Sequence, residues 1–173
     1  DAPVINEKSL EMNLTNEIGV EGKIRLLKNI AGLWIVQECR RQWLLEGQEY
    51  SYAELTEMAA GAPPFVAVID PDQFIEPGEM PRRITEFCRK TGQKEPESHA
   101  QFIRVSLESL ALRYRQVLEM IEELTGVKTE VIHIVGGGSR NGLLNHFVAA
   151  ATGRTVVAGP AEATAAGNIL VQA

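Results

Sequence analysis

The C-terminal part of the sequence alternates between short β-rich runs and helical segments, and this order constrains the fold more than any other feature. A strand predicted at 130–135 is followed by three glycines, a helix at 139–151, a short strand at 155–157 and a helix from 161 onward. Strands that alternate with helices favour parallel pairing, because the helix carries the chain back across the sheet. The sequence therefore predicts an α/β fold in which helices cover parallel strands.

A second strong signal is the hydrophobic periodicity from about residue 98 to 125. Its apolar side chains recur in steps of three and four, which places them on one face of a long helix. Gly126 follows directly and is a natural stop, because glycine adopts the left-handed conformation that ends many helices. Similar spacing over residues 22–45, with Gly19 and Gly22 at the start, predicts another helix.

Shorter elements are predicted between these two helices. Ser51 begins a capping-box pattern, with Glu54 three residues later, that opens a helix ending near Gly61. The run 65–69 predicts a buried strand, since it is short, mostly apolar and bounded by prolines. A modest helix is predicted near residues 80–90.

Composition and charge exclude several classes of protein. The 173 residues include 17 lysines and arginines against 23 aspartates and glutamates, a formal net charge of -6, and form no basic stripe for a nucleic-acid backbone. No apolar run approaches the roughly 20 residues of a membrane-spanning helix, and the N-terminal residues lack the features of a signal peptide. A cytoplasmic protein is therefore expected. Cys39 and Cys88 have no metal-ligand spacing and are expected to be packing residues.

The three glycines at 136–138 are the sharpest candidate for chemistry. They lie between a predicted buried strand and a helix, so no side chain shields the backbone or the helix N-terminus from a ligand. Nucleotides are commonly bound in this way, and the alternative is a purely structural turn. A Walker-type phosphate loop is excluded, because Ser139, Arg140 and Asn141 stand in place of Gly-Lys-Ser/Thr. A dinucleotide fingerprint is poorly supported, since the next strand ends at 156–159 without a carboxylate.

Two amide side chains on the predicted first helix are further candidates. Asn29 and Gln37 lie eight positions apart, which on a helix separates them by about 12 Å along the axis and about 80° around it. Amides on adjoining sides of one helix could contact both ends of a nucleotide. The alternative is a pair of exposed polar residues with no ligand.

The histidines and carboxylates give no catalytic arrangement. His133 is predicted to lie in the core, within a buried strand, and His99 and His146 on helix surfaces. The carboxylates within 119–123 are predicted to form a solvated face of the long helix. No Ser/His/Asp arrangement and no catalytic pair of carboxylates stands out in the sequence.

Five segments form a pattern that is more specific than any single motif. They are residues 13–17, 20–34, 72–80, 135–145 and 158–168. The Leu-Lys-Asn-Ile-x-Gly-Leu-Trp part of the second segment is far more specific than the triple glycine. Together the segments resemble the FGGY family of carbohydrate kinases over nearly the whole chain.

The resemblance implies a fold and a place within it. FGGY kinases have two domains of the ribonuclease H-like fold, shared with actin, hexokinase and Hsp70, and bind ATP in the cleft between them. Residues 1–173 are expected to form most of the second, ATP-side domain. Because the sequence has no initiator methionine and ends inside a helical pattern, we expect a longer polypeptide that carries the sugar-binding domain and the start of the second domain.

The resemblance also implies nucleotide contacts and a reaction. By motif position, the implied ATP contacts are Asn29, Gln37 and Gly137, with Gly136, Gly138 and Asn141 as weaker neighbours. The implied reaction transfers the γ-phosphoryl group of ATP to the 1-hydroxyl of L-rhamnulose with Mg²⁺, giving L-rhamnulose 1-phosphate for rhamnose degradation. The family's catalytic Asp, sugar-binding residues and Ser-Gly-Thr phosphate loop are expected upstream of this chain. The chain alone is therefore expected not to phosphorylate sugar.

Three alternatives stay open on the sequence alone. The first is another FGGY kinase, acting on xylulose, fuculose or glycerol. The second is an actin-like nucleotide-binding module without transferase activity. The third is an NAD-binding oxidoreductase, which NADH, but not ATP or ADP, would protect from thermal unfolding.

Overall fold

The computed structural model describes residues 2–172 and divides them among seven helices and four short strands. The helices are α1 (Glu7–Glu11), α2 (Trp34–Leu45), α3 (Tyr52–Gly61), α4 (Met80–Lys90), α5 (His99–Thr125), α6 (Gly142–Thr152) and α7 (Ala163–Gln172). The strands are β1 (Thr15–Ile18), β2 (Ile24–Leu27), β3 (Val131–Ile134) and β4 (Thr155–Ala158). Single turns of 3-10 helix lie at Val20–Gly22, Pro71–Gln73 and Gly137–Arg140.

The long helix α5 is the centre of the core, as its periodicity predicts. Ile103, Leu107 and Leu110 recur in steps of three and four and lie on one buried face, and the middle of the helix, residues 105–111, is buried all round. The helices packed around α5 contribute, among others, Ile35, Trp43, Leu55, Leu144 and Val148. Gly126 ends α5 in the left-handed conformation with a φ of 68°, and its N–H donates to the Glu122 carbonyl at 2.9 Å. Both the helix and its stop are confirmed.

Strands β3 and β4 pair in parallel, with Val131 opposite Thr155 and Ile134 opposite Ala158, and α6 connects them. The predicted parallel α/β unit is therefore confirmed. Only one face of this two-stranded sheet packs against the core, so burial alternates along β3, and Val156 is the partly buried residue of β4. His133 lies on the exposed face, and the prediction that it is a core residue was wrong.

The helix predicted over 22–45 begins only at Trp34. Residues upstream form an antiparallel hairpin in which Ile18 pairs with Ile24 and Thr15 with Leu27. Glu21 and Gly22 make the turn, with φ values of 58° and 71°. A short apolar run such as residues 24–27 fits a helix and a strand alike, and the strand 15–18 that pairs with it lies outside the periodic window.

The apolar run 65–69 is not a strand. Its backbone amides bind side chains instead: Phe65 N–H donates to Glu108 at 2.8 Å and Ile69 N–H donates to Ser109 Oγ at 3.0 Å. Val68 N–H likewise donates to the Gln93 side chain at 2.8 Å. The run therefore lies against α5, and side chains of α5 and of the loop before it bind the backbone groups that a neighbouring strand would otherwise pair.

The remaining short helices and the cysteines agree with the sequence predictions. The Ser51 hydroxyl accepts from the Glu54 amide at 3.2 Å, and the Glu54 carboxylate accepts from the Ser51 amide at 2.7 Å, so the capping box that opens α3 is formed. Helix α4 covers the predicted 80–90 segment. Cys39 and Cys88 are buried, free thiols. Within residues 2–172, no helix is both long enough and apolar enough to cross a membrane.

Glu122 departs from the predicted solvated face of α5. Its carboxylate accepts a hydrogen bond from the Thr129 amide at 2.8 Å and pairs with Arg154 at 3.2 Å. The bond to the Thr129 amide, joined by those to Arg154, lowers the pKa of Glu122. Its neighbours Glu119 and Glu123 are exposed, as predicted.

A buried ion pair on α5 connects three elements. Arg104 and Glu108 meet at 2.8 Å with side chains that are only 14% and 3% exposed. Arg104 also donates to the carbonyls of Ala59 and Ala60 at the end of α3, at 3.1 and 3.0 Å. Its guanidinium lies 5.2 Å from the centre of the Phe147 ring on α6. The pair therefore joins α3, α6 and the 65–69 segment to α5.

We expect Glu108→Ala to lower the free energy of unfolding by about 3–5 kcal/mol, because Arg104 would remain as a buried charge without its partner. The matched control is Glu119→Ala, which removes the exposed i,i+4 partner of Arg115 on the same helix. Urea unfolding should show a change of less than about 1 kcal/mol for the control. Equal effects of the two substitutions would contradict the role given to the buried pair.

His99 is part of an aromatic cluster rather than a plain surface residue, which corrects the sequence prediction. Its ring stacks on the ring of Trp43 with centroids 3.9 Å apart, and its Nδ1 lies 3.2 Å from the Tyr50 hydroxyl. Burial lowers the pKa of His99, against the opposing influence of Glu46. The imidazole is therefore neutral in the folded protein at neutral pH.

This environment predicts a loss of stability in mild acid. Because the folded-state pKa of His99 is lowered, the unfolded chain binds the proton more readily, and stability falls as the pH drops below about 6.5. We expect His99→Phe to lose less unfolding free energy than the unsubstituted protein between pH 7 and pH 5. His146→Phe, at an exposed histidine, is the control and should keep the original pH dependence.

Candidate functional site

The carboxyl ends of β3 and β4 form the edge where the candidate site lies. Each strand is followed by glycine, Gly136 after β3 and Gly159 after β4. Two main-chain hydrogen bonds join these connections: Gly159 N–H donates to the Ile134 carbonyl at 2.8 Å, and Gly136 N–H donates to the Pro160 carbonyl at 3.1 Å. In open α/β sheets, ligands bind outside the carboxyl ends of the strands.

The glycine turn consists of residues 136–138 and begins a 3-10 turn rather than an α-helix. Gly136 has φ 73° and ψ -162°, a conformation that is essentially restricted to glycine. The amides of Gly137 and Gly138 lie at the start of the 3-10 turn, where no acceptor exists within the turn itself. A side chain at Gly137 would meet no atom within 4 Å. The main chain of Gly137 is therefore open to a ligand.

The helix predicted from Ser139 starts three residues later, at Gly142. Asn141 is its N-cap, with the side-chain oxygen accepting from the Leu144 amide at 2.9 Å. The Asn141 amide nitrogen lies 3.4 Å from the Thr56 hydroxyl on α3. Asn141 is half-buried and lies at the junction of the glycine turn, α6 and α3.

Two polar side chains that the sequence analysis did not single out stabilise the turn. The Ser139 hydroxyl donates to the Gly136 carbonyl at 2.7 Å. The Asn145 side-chain amide donates to the Ser139 carbonyl at 2.9 Å. Ser139 directly follows the glycines and Asn145 lies one helical turn beyond the N-cap, so their positions were a usable signal.

Leu33, immediately before α2, is the contact between this helix and the glycine turn. A side chain at Gly138 would lie 3.9 Å from Leu33 Cδ1, immediately before α2. Gln37 follows Leu33 by four residues, so it lies on the same face of α2 about 6 Å further along the axis. The Gln37 side chain is exposed and free to contact a ligand there.

Asn29 does not lie on this helix. It is an exposed residue of the connection between β2 and α2. The predicted separation of about 12 Å and about 80° from Gln37 assumed one continuous helix and is therefore wrong. Among the described residues, no hydrogen bond joins Asn29 to the glycine turn.

An exposed ion pair lies at the rim of the site. Arg140, in the turn after β3, meets Glu162, ahead of α7, at 3.2 Å, and both side chains are more than 70% exposed. Such pairs contribute little to stability in water. The pair places one positive and one negative group in the connections that follow β3 and β4.

Cavities lie elsewhere on the molecule, away from the glycine turn. One of about 660 Å³ lies between the end of α3 and the start of α5, and its lining includes Glu54, Glu57 and Ser98. The predicted site residues do not line it. Among residues 2–172, no group of three histidine, cysteine or carboxylate side chains is placed to hold a metal ion.

The sequence of the chain matches the model of a known protein family. The C-terminal domain of the FGGY family of carbohydrate kinases matches residues 1–173. The chain belongs to this family. The resemblance identified from the five sequence segments is thereby confirmed.

Curated FGGY relatives share extensive sequence with the chain. A rhamnulokinase from Bacteroides thetaiotaomicron is 51% identical over 175 aligned residues that cover 100% of the chain and 35% of the relative. A rhamnulokinase from Enterococcus faecalis is 42% identical over 97% of the chain and 34% of the relative. One from Oceanobacillus iheyensis is 39% identical over 98% of the chain and 36% of the relative. The chain thus spans about a third of the length of these relatives.

The conformation of the glycine turn predicts a clear contrast between adjacent glycines. Gly136→Ala should lower the free energy of unfolding by about 1–3 kcal/mol, because alanine is strained at that φ and ψ. Gly137 has no positive φ and no neighbour within 4 Å, so Gly137→Ala should leave stability unchanged or slightly raised. Thermal unfolding of both variants tests this, and equal melting temperatures would contradict the assigned turn.

Proposed function

We propose that this chain is part of an ATP-dependent kinase that phosphorylates L-rhamnulose on its 1-hydroxyl. The observation that carries the proposal is the 51% identity to a rhamnulokinase across the full chain. Two further rhamnulokinases at 42% and 39% identity support the same substrate. Membership in a family of carbohydrate kinases supports the transfer of a phosphoryl group to a sugar hydroxyl.

The proposed role of the chain is to bind the nucleotide. The open main chain of Gly137, with Gly136 and Gly138 beside it, would form a wall against which the adenosine part of ATP lies. A side chain at Gly137 would fill this space, so the bare backbone fits a flat ligand. Asn141 ends the turn, and Gln37 lies one turn of α2 beyond Leu33, which packs beside Gly138. Both side chains would donate or accept hydrogen bonds, and Asn29 is retained as a candidate contact on family resemblance.

The proposed fold context is the second domain of a ribonuclease H-like kinase. Two observations support it: the site lies open on the surface, and the chain spans about a third of its relatives. In a two-domain enzyme, the polypeptide outside these residues would supply the opposite wall of the ATP cleft. A closed cleft excludes water, which strengthens the electrostatic interactions that phosphoryl transfer requires.

The chain would contribute binding and orientation, and not proton transfer. Holding the adenosine fixes the direction in which the triphosphate extends, which is the part of catalysis that positioning supplies. We assign the catalytic Asp and the phosphate loop to the polypeptide outside this chain. Mg²⁺ would neutralise charge on the phosphates, and the described residues form no cluster suited to hold it.

Substrate assays on the complete gene product test the proposed reaction. Purified protein is incubated with ATP, Mg²⁺ and each of L-rhamnulose, L-fuculose, D-xylulose and glycerol, and ADP release is measured. We expect the highest kcat/KM with L-rhamnulose. A clear preference for another acceptor would assign a different FGGY activity, and binding of ATP without turnover of any acceptor would favour a nucleotide-binding module.

A single substitution tests the proposed nucleotide wall. Gly137→Val in the complete gene product should weaken ATP binding by about tenfold or more, because the new side chain occupies the space of the ligand. The KM for the sugar should change little. Gly61→Val is the matched control, since Gly61 also has no neighbour within 4 Å and lies at the end of α3. An unchanged ATP affinity in the Gly137 variant would contradict the site.

A further inference from the structure

The hydrogen bonds beneath the glycine turn form a relay that ends on the turn itself. Asn145, on the first turns of α6, donates its side-chain amide to the Ser139 carbonyl at 2.9 Å. Ser139 donates both its hydroxyl, at 2.7 Å, and its backbone amide, at 3.1 Å, to the Gly136 carbonyl. The Asn145 side chain is thereby connected to the first glycine of the turn through one intervening residue.

This relay restricts a segment that is otherwise free to change conformation. Three consecutive glycines have more backbone freedom than any other tripeptide, and holding them in one conformation has a large entropic cost. A side chain at Gly137 would meet nothing within 4 Å, and one at Gly138 would meet only Leu33 and Ile134 at 3.9 and 4.0 Å. Packing against neighbours therefore does little to hold the outer part of the turn, and hydrogen bonds to its carbonyls hold it instead.

The environment of Asn145 argues against a role in stability alone. Its Oδ1 atom is buried and has no hydrogen-bond partner among the described residues. A buried carbonyl oxygen without a partner carries a desolvation cost that an apolar side chain of the same size would avoid. Asn145 makes one hydrogen bond, to the Ser139 carbonyl, and leaves its Oδ1 without a partner. This arrangement is better explained by the positioning of Ser139 than by a gain in stability.

We infer that Asn145 and Ser139 are positioning residues that preorganise the glycine turn for nucleotide binding. The inference rests on the proposed function, since it gives the turn a nucleotide as ligand. Neither residue needs to contact the ligand. Their effect is to keep the amides of Gly137 and Gly138 pointing away from the chain before binding, so that less conformational entropy is lost when the nucleotide arrives.

The test measures ADP dissociation constants by calorimetry, together with the KM for ATP and for sugar, on the complete gene product. Asn145→Leu and Ser139→Ala should each raise the dissociation constant and the KM for ATP about fivefold, while the sugar KM stays within about twofold. Ser139→Thr keeps the hydroxyl and should stay near the original affinity. His146→Leu, at the exposed neighbour of Asn145 on α6, is the matched control and should change neither constant.

The double variant separates a relay from two independent effects. If Asn145 acts through Ser139, combining Asn145→Leu with Ser139→Ala should raise the dissociation constant little more than either change alone. Affinities within about twofold of the original in both single variants would overturn the inference. Parallel losses of ATP affinity, sugar affinity and melting temperature would also overturn it, because they would show a general structural defect.

Including Gly137→Val distinguishes this inference from the proposed function. If Gly137→Val weakens ADP binding and Asn145→Leu does not, the nucleotide site stands and the positioning role is wrong. If the unsubstituted protein binds no ADP, both the proposed function and the positioning role are wrong.

Discussion

The Arg104–Glu108 pair is the interaction on which the arrangement of the helices depends. Glu108 is almost fully buried and accepts from the Phe65 amide, while Arg104 binds the last carbonyls of α3 and lies over the Phe147 ring of α6. Two buried charges are tolerated because each has its partner and further hydrogen bonds. The pair joins α3 and α6 to α5, and α6 in turn carries Asn145, whose side-chain amide binds the Ser139 carbonyl of the glycine turn.

The candidate site consists mainly of main chain, and this explains its position in the fold. In the turn after β3, the Gly136 carbonyl accepts from the Ser139 hydroxyl and the Gly136 amide donates to the Pro160 carbonyl. The turn ends at Asn141, the N-cap of α6. None of these contacts uses the outer surface of Gly137. A rigid frame with an open backbone is suited to a ligand that is recognised by shape and by main-chain hydrogen bonds rather than by charge.

Much of the fold follows from local sequence signals. The periodicity of α5, the left-handed stop at Gly126 and the capping box at Ser51 each involve residues within a few positions of one another, so the sequence predicts them well. The hairpin at 15–27 and the side-chain-bonded run 65–69 depend on partners far along the chain. Their local pattern fits more than one structure, and the predictions for 22–33 and 65–69 were therefore wrong.

The same distinction applies to the candidate site. The open glycine turn was predicted from the glycines themselves, and Gln37 was placed correctly on a helix. Asn29 was placed on the wrong element because the hairpin was missed. The relay from Asn145 through Ser139 to Gly136 depends on where α6 starts, and that start was predicted three residues too early.

A crystal structure of the complete gene product with bound ADP tests the central claim most directly. The claim predicts ADP against the main chain of residues 136–138, with Gly137 in van der Waals contact and Gln37 or Asn141 within hydrogen-bond distance. ADP bound elsewhere, for example in the cavity between α3 and α5, with Gly137 covered by another part of the polypeptide, would contradict it.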